Sequence, residues 1–249
     1  MFERLKYQMP NAVQNLLRGV VWRLPFTAVR DFERQNGKGE ISQQVRNEEI
    51  VKRNDGVVRN DGVVRNEKKL LYLTFDDGPN PETTPLLLNL LRKNRIKATF
   101  FLVGENAQRY PELVEKIKSE GHTVGTHTFN HLKGWKTSTK NYLENVKMAE
   151  RAVEPNSNLF RPPYGKMSIR QYLQIRKTHT IVLWDLITHD YDRAHSPEKI
   201  MQAVRKYSRD GSIVVFHDSL KAKDNLFAVL QEAIDFWTEE GYEFQPIRK

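Results

Sequence analysis

The sequence predicts a parallel α/β domain, a (β/α) barrel with one unit fewer than eight, with an open doubly wound sheet as the alternative topology. Three observations predict it. Seven short apolar runs rich in strand formers occupy the chain between Leu70 and Ile247, and six helical patterns alternate with them. Capping residues, prolines and glycines punctuate the helices where starts and stops are needed. Five of the strands end in ionisable residues, at Asp76-Asp77, His127, Arg161, Asp185 to Asp190 and His217-Asp218. In α/β barrels the C-terminal strand ends converge on one mouth, so five such ends describe a site better than five unrelated caps.

The first run, Leu70 to Phe75, is apolar and stops abruptly at Gly78-Pro79, which leaves Asp76 and Asp77 at the end of a buried strand. Buried carboxylates without partners are costly, so cations, a metal or hydrogen-bond donors are expected elsewhere in the chain. Thr84-Pro85 opens the first helix, and Ala98 to Val103 is the next strand. Pro111 opens a second helix that Gly121 closes, ahead of the strand Thr123 to His127. Tyr142, Val146, Ala149 and Val153 mark the apolar face of a third helix. After the strand Leu159 to Arg161, Ser168 caps a fourth over Ile169, Tyr172 and Leu173. The strand Thr180 to Trp184 precedes a fifth helix, opened by Ser196-Pro197 and closed by Gly211. The strand Ser212 to His217 leads to a sixth helix, marked by Leu226, Leu230, Ala233 and Trp237, and Tyr242 to Ile247 is the last strand.

Before Leu70 the composition differs. Residues 1–25 hold a mixed cluster around Leu16 to Leu24 and are expected to pack on the barrel, with a basic amphipathic contact to a membrane as the alternative. Residues 26–68 are polar, and Arg53 to Val58 (R-N-D-G-V-V) recurs at once as Arg59 to Val64. Two copies of six residues are too few for a solenoid and too polar to offset the entropy of ordering, which predicts a flexible insertion before the domain at 69–249.

The chain has 249 residues, enough for one barrel with a sizeable core, and a formal net charge of +9. Its lysines and arginines are scattered along presumptive helices and no nucleic-acid module is recognisable, so a nucleic-acid partner is not expected. Weak attraction to a membrane surface or an anionic polymer is the expected consequence of the charge. With no cysteine, any metal must be held by histidine and carboxylate. The longest N-terminal apolar candidate, Leu16 to Val29, is interrupted by Arg18 and Arg23. Neither a spanning helix nor a cleavable signal peptide is expected, which suggests a cytoplasmic or peripherally envelope-associated protein.

His127 and His131 form H-T-F-N-H, two imidazoles four residues apart. With one carboxylate they make a three-ligand metal site with a position left open for water. The spacing differs from the H-E-x-x-H of zinc peptidases, so a general base must come from elsewhere, and the paired aspartates can supply one.

Five ordered segments carry a resemblance. They are T-F-D-D-G-P (Thr74 to Pro79), H-T-F-N-H (His127 to His131), R-P-P-Y-G (Arg161 to Gly165), W-D-L-I-T-H-D-Y (Trp184 to Tyr191) and V-F-H-D (Val215 to Asp218). Together they resemble the motifs of the polysaccharide deacetylase family with the NodB homology domain, carbohydrate esterase family 4, over about Lys69 to Lys249. The resemblance implies a distorted (β/α)7 barrel. It implies a divalent metal, usually zinc, on Asp77, His127 and His131, with Asp76 as general base and His217, on the opposite wall, as general acid. Arg161 resembles the arginine that orients the base, and Asp190 the aspartate that supports the histidine. Pro163 belongs to a rigid turn that aims Tyr164, whose backbone N–H would stabilise an oxyanion. Tyr191 stands where the family commonly has Trp and Val215 where it commonly has Leu, so both are expected in the walls of an acetyl pocket. Trp135 is a candidate for stacking on a sugar.

The implied activity is removal of N-acetyl groups from an amino sugar in an oligo- or polysaccharide of chitooligosaccharide or peptidoglycan type. An O-acetyl esterase acting on acetylxylan is the nearest alternative. A non-catalytic sugar-binding homologue is another, although a binder needs neither Asp76 nor His217. His122, His179, His189 and His195 fit no catalytic role and are expected to be structural or solvent-facing. Phe101 and Trp184 are expected in the core.

Overall fold

The computed structural model describes residues 69–155 and 157–248, together with the strand Val20–Val21. Beyond that strand, the expectations for residues 1–25 and 26–68 fall outside the described residues.

The strands, in chain order, are β1 (Val20–Val21), β2 (Lys69–Asp76), β3 (Thr99–Leu102), β4 (Thr123–Thr126), β5 (Leu159–Phe160), β6 (Thr180–Val182), β7 (Leu186–Ile187), β8 (Ser212–His217) and β9 (Tyr242–Phe244). All pairings among them are parallel, in the order β1-β6-β5-β4-β3-β2-β8-β7, with β9 joining β2 over Lys69–Leu71. The helices are α1 (Thr84–Lys93), α2 (Gly104–Arg109), α3 (Pro111–Ser119), α4 (Thr139–Val153), α5 (Ile169–Ile175), α6 (Pro197–Tyr207) and α7 (Lys223–Glu239). The sheet curls into the expected barrel-like form with one seam. Consecutive β6 and β7 share no ladder among the described residues, and Leu183 to Asp185 passes between them.

The parity of the strands sorts the core into two compartments. In β2, β3 and β8 the residues Leu71, Leu73, Phe75, Phe100, Leu102, Val214 and Phe216 face the helices and pack with Leu87, Leu91, Leu230 and Trp237. Their neighbours in sequence point inward, where Phe101, Leu159, Val182, Trp184, Ile213 and Val215 fill the barrel. Period-two alternation therefore carries Asp76, His127, Arg161 and His217 to the same side as that inner layer, one step above it. Phe101 and Trp184 are core residues, as their sequence context indicates.

Both helix-start expectations built on serine hold in detail. Ser168 and Gln171 form a reciprocal capping box on α5, and Ser196 accepts from Lys199 N–H ahead of Pro197 at the start of α6. Three elements lie outside the expected set. The strands β1 and β7 are two residues long each, and the helix α2 has Ala107 as its one buried apolar side chain, so none has enough periodicity to be seen. Among the described residues no helix is long and apolar enough to cross a membrane.

Candidate active site

The site is assembled from two neighbouring strands and the four loops that follow β2, β4, β5 and β7. Asp76 ends β2 and His217 ends β8, and the two are register partners across the parallel ladder. The structure corrects the expectation that they occupy opposite walls: they stand side by side, as the direct pairing of β2 with β8 requires.

Each has its own support. The Asp76 carboxylate accepts a hydrogen bond from Arg161 Nη1 at 2.7 Å, and the same nitrogen donates to Thr74 Oγ1 at 2.8 Å. Arg161 is fully buried. Its Nε and Nη2 donate to the carbonyls of Val182 and Leu183 at 3.3 and 3.1 Å, and its guanidinium lies 4.1 Å from the centroid of Phe101. The guanidinium thus fills the seam beside β6 as well as holding the carboxylate. Burial opposes the charge on Asp76, yet Arg161, with His127 and His217, holds its pKa below the usual carboxylate range.

His217 Nδ1–H donates to Asp190 Oδ1 at 2.7 Å, while its backbone N–H donates to Asp190 Oδ2 at 2.8 Å. One carboxylate therefore fixes both the ring and the strand that bears it. Burial disfavours the imidazolium, but Asp190 and then Asp77 and Asp76 outweigh it and raise the pKa to about 9. The loop bearing Asp190 is itself pinned from α7, where Asn225 Nδ2 donates to the carbonyls of Asp190 and His195, each at 3.1 Å.

Asp77, His127 and His131 bring one ligand atom each to within 4.8 Å of one another. His127 Nδ1–H donates to the Arg161 carbonyl at 2.7 Å, which leaves the Nε2 lone pair facing the carboxylates. Burial holds the His127 pKa down, at about 4, so the ring is neutral and able to ligate at ordinary pH. Asp77 Oδ1 is buried without a hydrogen-bond partner, 3.4 Å from His131 Nε2 and 3.8 Å from His127 Nε2. An orphaned carboxylate oxygen against two imidazole nitrogens is a donor set that fits a divalent cation.

The backbone here is held in unusual conformations. Asp77, Thr128, His131, Tyr164 and His189 all have positive φ, between 54° and 77°. Non-glycine residues in this region cost on the order of 1–3 kcal/mol each and persist where surroundings over-determine them. Tyr164 (φ 60°, ψ 9°) follows Pro163 in a turn closed by Gly165 N–H donating to the Pro162 carbonyl at 2.9 Å. That is the second central position of a type II turn, normally taken by glycine. The turn leaves the Tyr164 ring 48% exposed, and among the described residues its N–H donates to no protein acceptor.

The remaining expected contacts differ in how open they are. Tyr191 stands edge-on to His217, with ring centroids 4.7 Å apart, and its hydroxyl lies 3.0 Å from His189 Nδ1. Val215 is wholly buried in the inner layer, two residues below His217, so it backs the pocket and offers no surface. Trp135 is 43% exposed and packs edge-to-face on Tyr164 with centroids 5.3 Å apart. His122 and His179 are structural: His122 Nδ1 accepts from Ala98 N–H at 3.1 Å, and His179 Nε2 lies 3.0 Å from Glu150 Oε1. His189 and His195 stack on each other beside Tyr191. A cleft of ≈ 270 Å³ opens on the Asp77–His131 side and is lined further by Asn80, Asn106, Asn130 and Glu105.

Sequence reasoning assigned no part to Asp218, which the structure places under the aspartate turn. Its carboxylate accepts from the hydroxyls of Thr83 and Thr84 at 2.6 and 2.5 Å, and its N–H donates to the Asp76 carbonyl at 2.7 Å. Gly78 approaches that carboxylate so closely that a Cβ would collide with it. Burial, resisted by the two hydroxyls, pushes the Asp218 carboxyl up to about 6. Asp218→Ala leaves the protons of two buried hydroxyls without their acceptor, while Thr84 Oγ1 still accepts from Asn80 N–H, and is expected to cost about 1–3 kcal/mol in urea unfolding. The same variant should weaken metal binding measured by titration although no ligand is removed; unchanged affinity would mean the clamp does not position Asp77.

A barrel mouth where a three-residue donor set that fits a divalent cation lies beside a carboxylate and an imidazole has the parts that metal-assisted hydrolysis uses. Comparison with known proteins gives the family. Residues 64–183 match the polysaccharide deacetylase family. The chain is 35% identical over 183 residues to a peptidoglycan-N-acetylglucosamine deacetylase of Bacillus cereus, covering 71% of this chain and 85% of that protein. It is 29% identical over 216 residues to the peptidoglycan-N-acetylmuramic acid deacetylase PdaC of Bacillus subtilis, covering 85% of this chain but 44% of PdaC. The crystal structure of the Bc1960 peptidoglycan N-acetylglucosamine deacetylase superposes with a TM-score of 0.67 at 31% identity, over 73% of this chain and 87% of that one. The chain belongs to the polysaccharide deacetylase family.

Proposed function

We propose that the protein is a metal-dependent hydrolase that removes N-acetyl groups from an amino sugar within an oligo- or polysaccharide and releases acetate, with zinc as the metal. One observation carries this reading: Asp76 and His217 stand in register on adjacent strands beside the Asp77–His127–His131 set, each with a dedicated buried partner. A sugar-binding homologue needs neither partner.

Asp77 Oδ1 and the Nε2 atoms of His127 and His131 would hold the cation. When bound there it supplies Lewis acidity, lowering the pKa of water from ~15.7 toward ~7 and polarising an acetyl carbonyl. The chain's own residues do the rest. Asp76, kept ionised by Arg161, accepts the proton of the attacking water. The Tyr164 N–H is the donor for the oxygen that gains charge, a contribution of ~2.7–4 kcal/mol where comparable donors have been removed from other enzymes. His217, protonated at neutral pH through Asp190, gives its Nε2 proton to the departing amine. Protonating the leaving group matters most for an amide, which favours an N-acetyl over an O-acetyl substrate. Tyr191 limits the space beside His217, and Trp135 with Tyr164 offers faces on which a sugar ring stacks.

Acetate release from chitooligosaccharides, peptidoglycan fragments and acetylxylan, with and without added zinc, tests the reading. Zinc-dependent release from the first two is the expected result. Release confined to acetylxylan would replace it with an esterase. Asp77→Ala, His127→Ala and His131→Ala are each expected to weaken zinc binding by more than the ~10–100-fold that loss of an outer partner costs. Activity should fall in parallel, and full zinc occupancy in all three variants would refute the ligand assignment.

A further inference from the structure

The three residues assigned above as cation ligands come from loops that the sheet holds apart. Asp77 follows β2, His127 and His131 follow β4, and β3 lies between those two strands. Two ladder spacings amount to ~9–10 Å. The ligand atoms nevertheless lie within 4.8 Å of one another, so the loops lean toward each other over the end of β3.

What they lean on is the chain leaving β3. Four consecutive residues, Val103 to Asn106, each donate one hydrogen bond to a carbonyl in one loop or the other. Val103 N–H donates to Gly78 and Asn106 Nδ2 to Asp77, both at 2.9 Å. Gly104 N–H donates to Thr128 at 3.0 Å, and Glu105 N–H to Phe129 at 2.7 Å. Both loops are thereby fastened to the first turn of α2. Glycine at position 104 permits the approach, because a Cβ there would meet the Phe129 ring at 2.7 Å and the Ala149 Cα at 2.8 Å. The far side of the histidine loop is held from α4, where Asn145 Oδ1 accepts from Phe129 N–H at 2.8 Å and Asn145 Nδ2 donates to Asn130 Oδ1 at 3.0 Å.

These bonds fall where the backbone needs holding. Asp77, Thr128 and His131 have φ of 77°, 63° and 54°, a region that non-glycine residues keep only when their surroundings over-determine it. Of the four donors Asn106 alone uses a side chain, so its bond can be removed without touching the main chain. That bond falls on the carbonyl of Asp77 itself, the residue whose Oδ1 is buried without a hydrogen-bond partner. The chemistry proposed above gives Asn106 no part. We propose that the β3–α2 turn is a brace that sets the spacing of the cation donors before anything binds, with Asn106 as a positioning residue that holds Asp77 through its main chain. The inference rests on the ligand assignment proposed above and goes beyond it to the elements that bring the ligands together.

The test measures zinc affinity of the full-length protein by competition with a chromogenic chelator, in native buffer and with no sugar present. A contact between Asn106 and substrate in the cleft therefore does not enter. Wild type, Asn106→Leu, Asp77→Ala and Asn94→Leu are compared. Asn94 is a matched control, since its Nδ2 donates to the Leu90 carbonyl and to Gln231, each at 2.9 Å, at the end of α1 remote from the mouth. Asn106→Leu is expected to weaken zinc binding by about tenfold, the lower end of the ~10–100-fold that loss of an outer partner costs, and Asn94→Leu to keep wild-type affinity. Cobalt(II) bound in place of zinc absorbs visible light in a way that follows its coordination geometry, so its band should change in Asn106→Leu and not in Asn94→Leu. Should the leucine variant fail to fold, Asn106→Ala removes the same donor without adding bulk and takes its place. Wild-type affinity in the Asn106 variant, equal losses in the Asn106 and Asn94 variants, or an unchanged cobalt band would each overturn the inference. Asp77→Ala separates the two readings. Loss of zinc there with wild-type affinity in Asn106→Leu removes the brace and leaves the ligand assignment, whereas wild-type affinity in Asp77→Ala removes both.

Discussion

Replacing His217 with alanine is expected to lower turnover on an N-acetylated sugar by roughly 10²–10⁴-fold while zinc binding stays intact, because the role proposed for the ring is that of proton donor and not of ligand. The substrate contrast identifies the role. An activated aryl acetate expels a phenolate that needs no proton, so its hydrolysis should fall far less than that of the amide; equal losses would show that His217 does not serve the leaving group. The pH profile carries a second signature. With the pKa of His217 at about 9, turnover that needs the imidazolium should fall as pH rises through about 9. The acid limb should lie low, since Asp76 is held ionised below the usual carboxylate range. Asp190→Asn removes the charge that raises His217, so the alkaline limb should move down by a unit or more, with one unit worth ~1.4 kcal/mol of differential interaction. Stability is linked in the same sense. A pKa raised from 6.5 to about 9 on folding gives a stabilisation fully present below 6.5 and lost as pH rises through about 9. Urea unfolding across that window should show a downward slope in the wild type that is absent from His217→Ala.

The second large effect is on folding. Arg161→Met is expected to destabilise the protein by about 3–5 kcal/mol, the usual cost of stranding one partner of a buried ion pair. The Asp76 carboxylate would lose its cation inside the barrel, and the carbonyls of Val182 and Leu183 would lose their donors at the seam. Arg161→Met/Asp76→Asn should recover part of that loss, since the stranded charge is gone while the two carbonyls remain unmet. Denaturant unfolding of the four proteins in the cycle gives the coupling. A single Arg161 variant as stable as the wild type would show that the guanidinium orients the base without supporting the sheet.

The barrel was legible because its strands are short, apolar and bounded by glycine, proline and good caps. The same alternation that marks Leu71, Leu73 and Phe75 as outward-facing also sets Asp76 inward, so local pattern and tertiary placement agree. The residues proposed as cation ligands and as acid–base pair stood out in the sequence for a second reason: each falls in a short segment whose residue types have few uses together. What escaped depends on contacts distant in sequence. Asp218 meets Thr83 and Thr84 across about 135 residues, and Asn225 reaches the Asp190 loop from a helix whose pattern speaks of packing alone. Nothing local in a lone Asp or Asn announces such a partner. The two-residue strand β7 escaped because its definition is its pairing with β8 and not its composition. The placement of His217 beside Asp76 likewise follows from strand order, which periodicity does not encode.

The direct pairing of β2 with β8 has a consequence for how such a protein diversifies. Neighbouring strands stand about 4.7–4.9 Å apart whatever their side chains, so the ladder works as a ruler for Asp76 and His217, the proposed proton acceptor and donor. Tyr164 and Trp135, by contrast, ride on turns, whose length and composition tolerate change. Segments such as 132–137 and 162–167 can then be exchanged or remodelled to admit a different glycan without altering the spacing on which proton transfer depends. Variation in taste and constancy in chemistry would be written in separate parts of the chain.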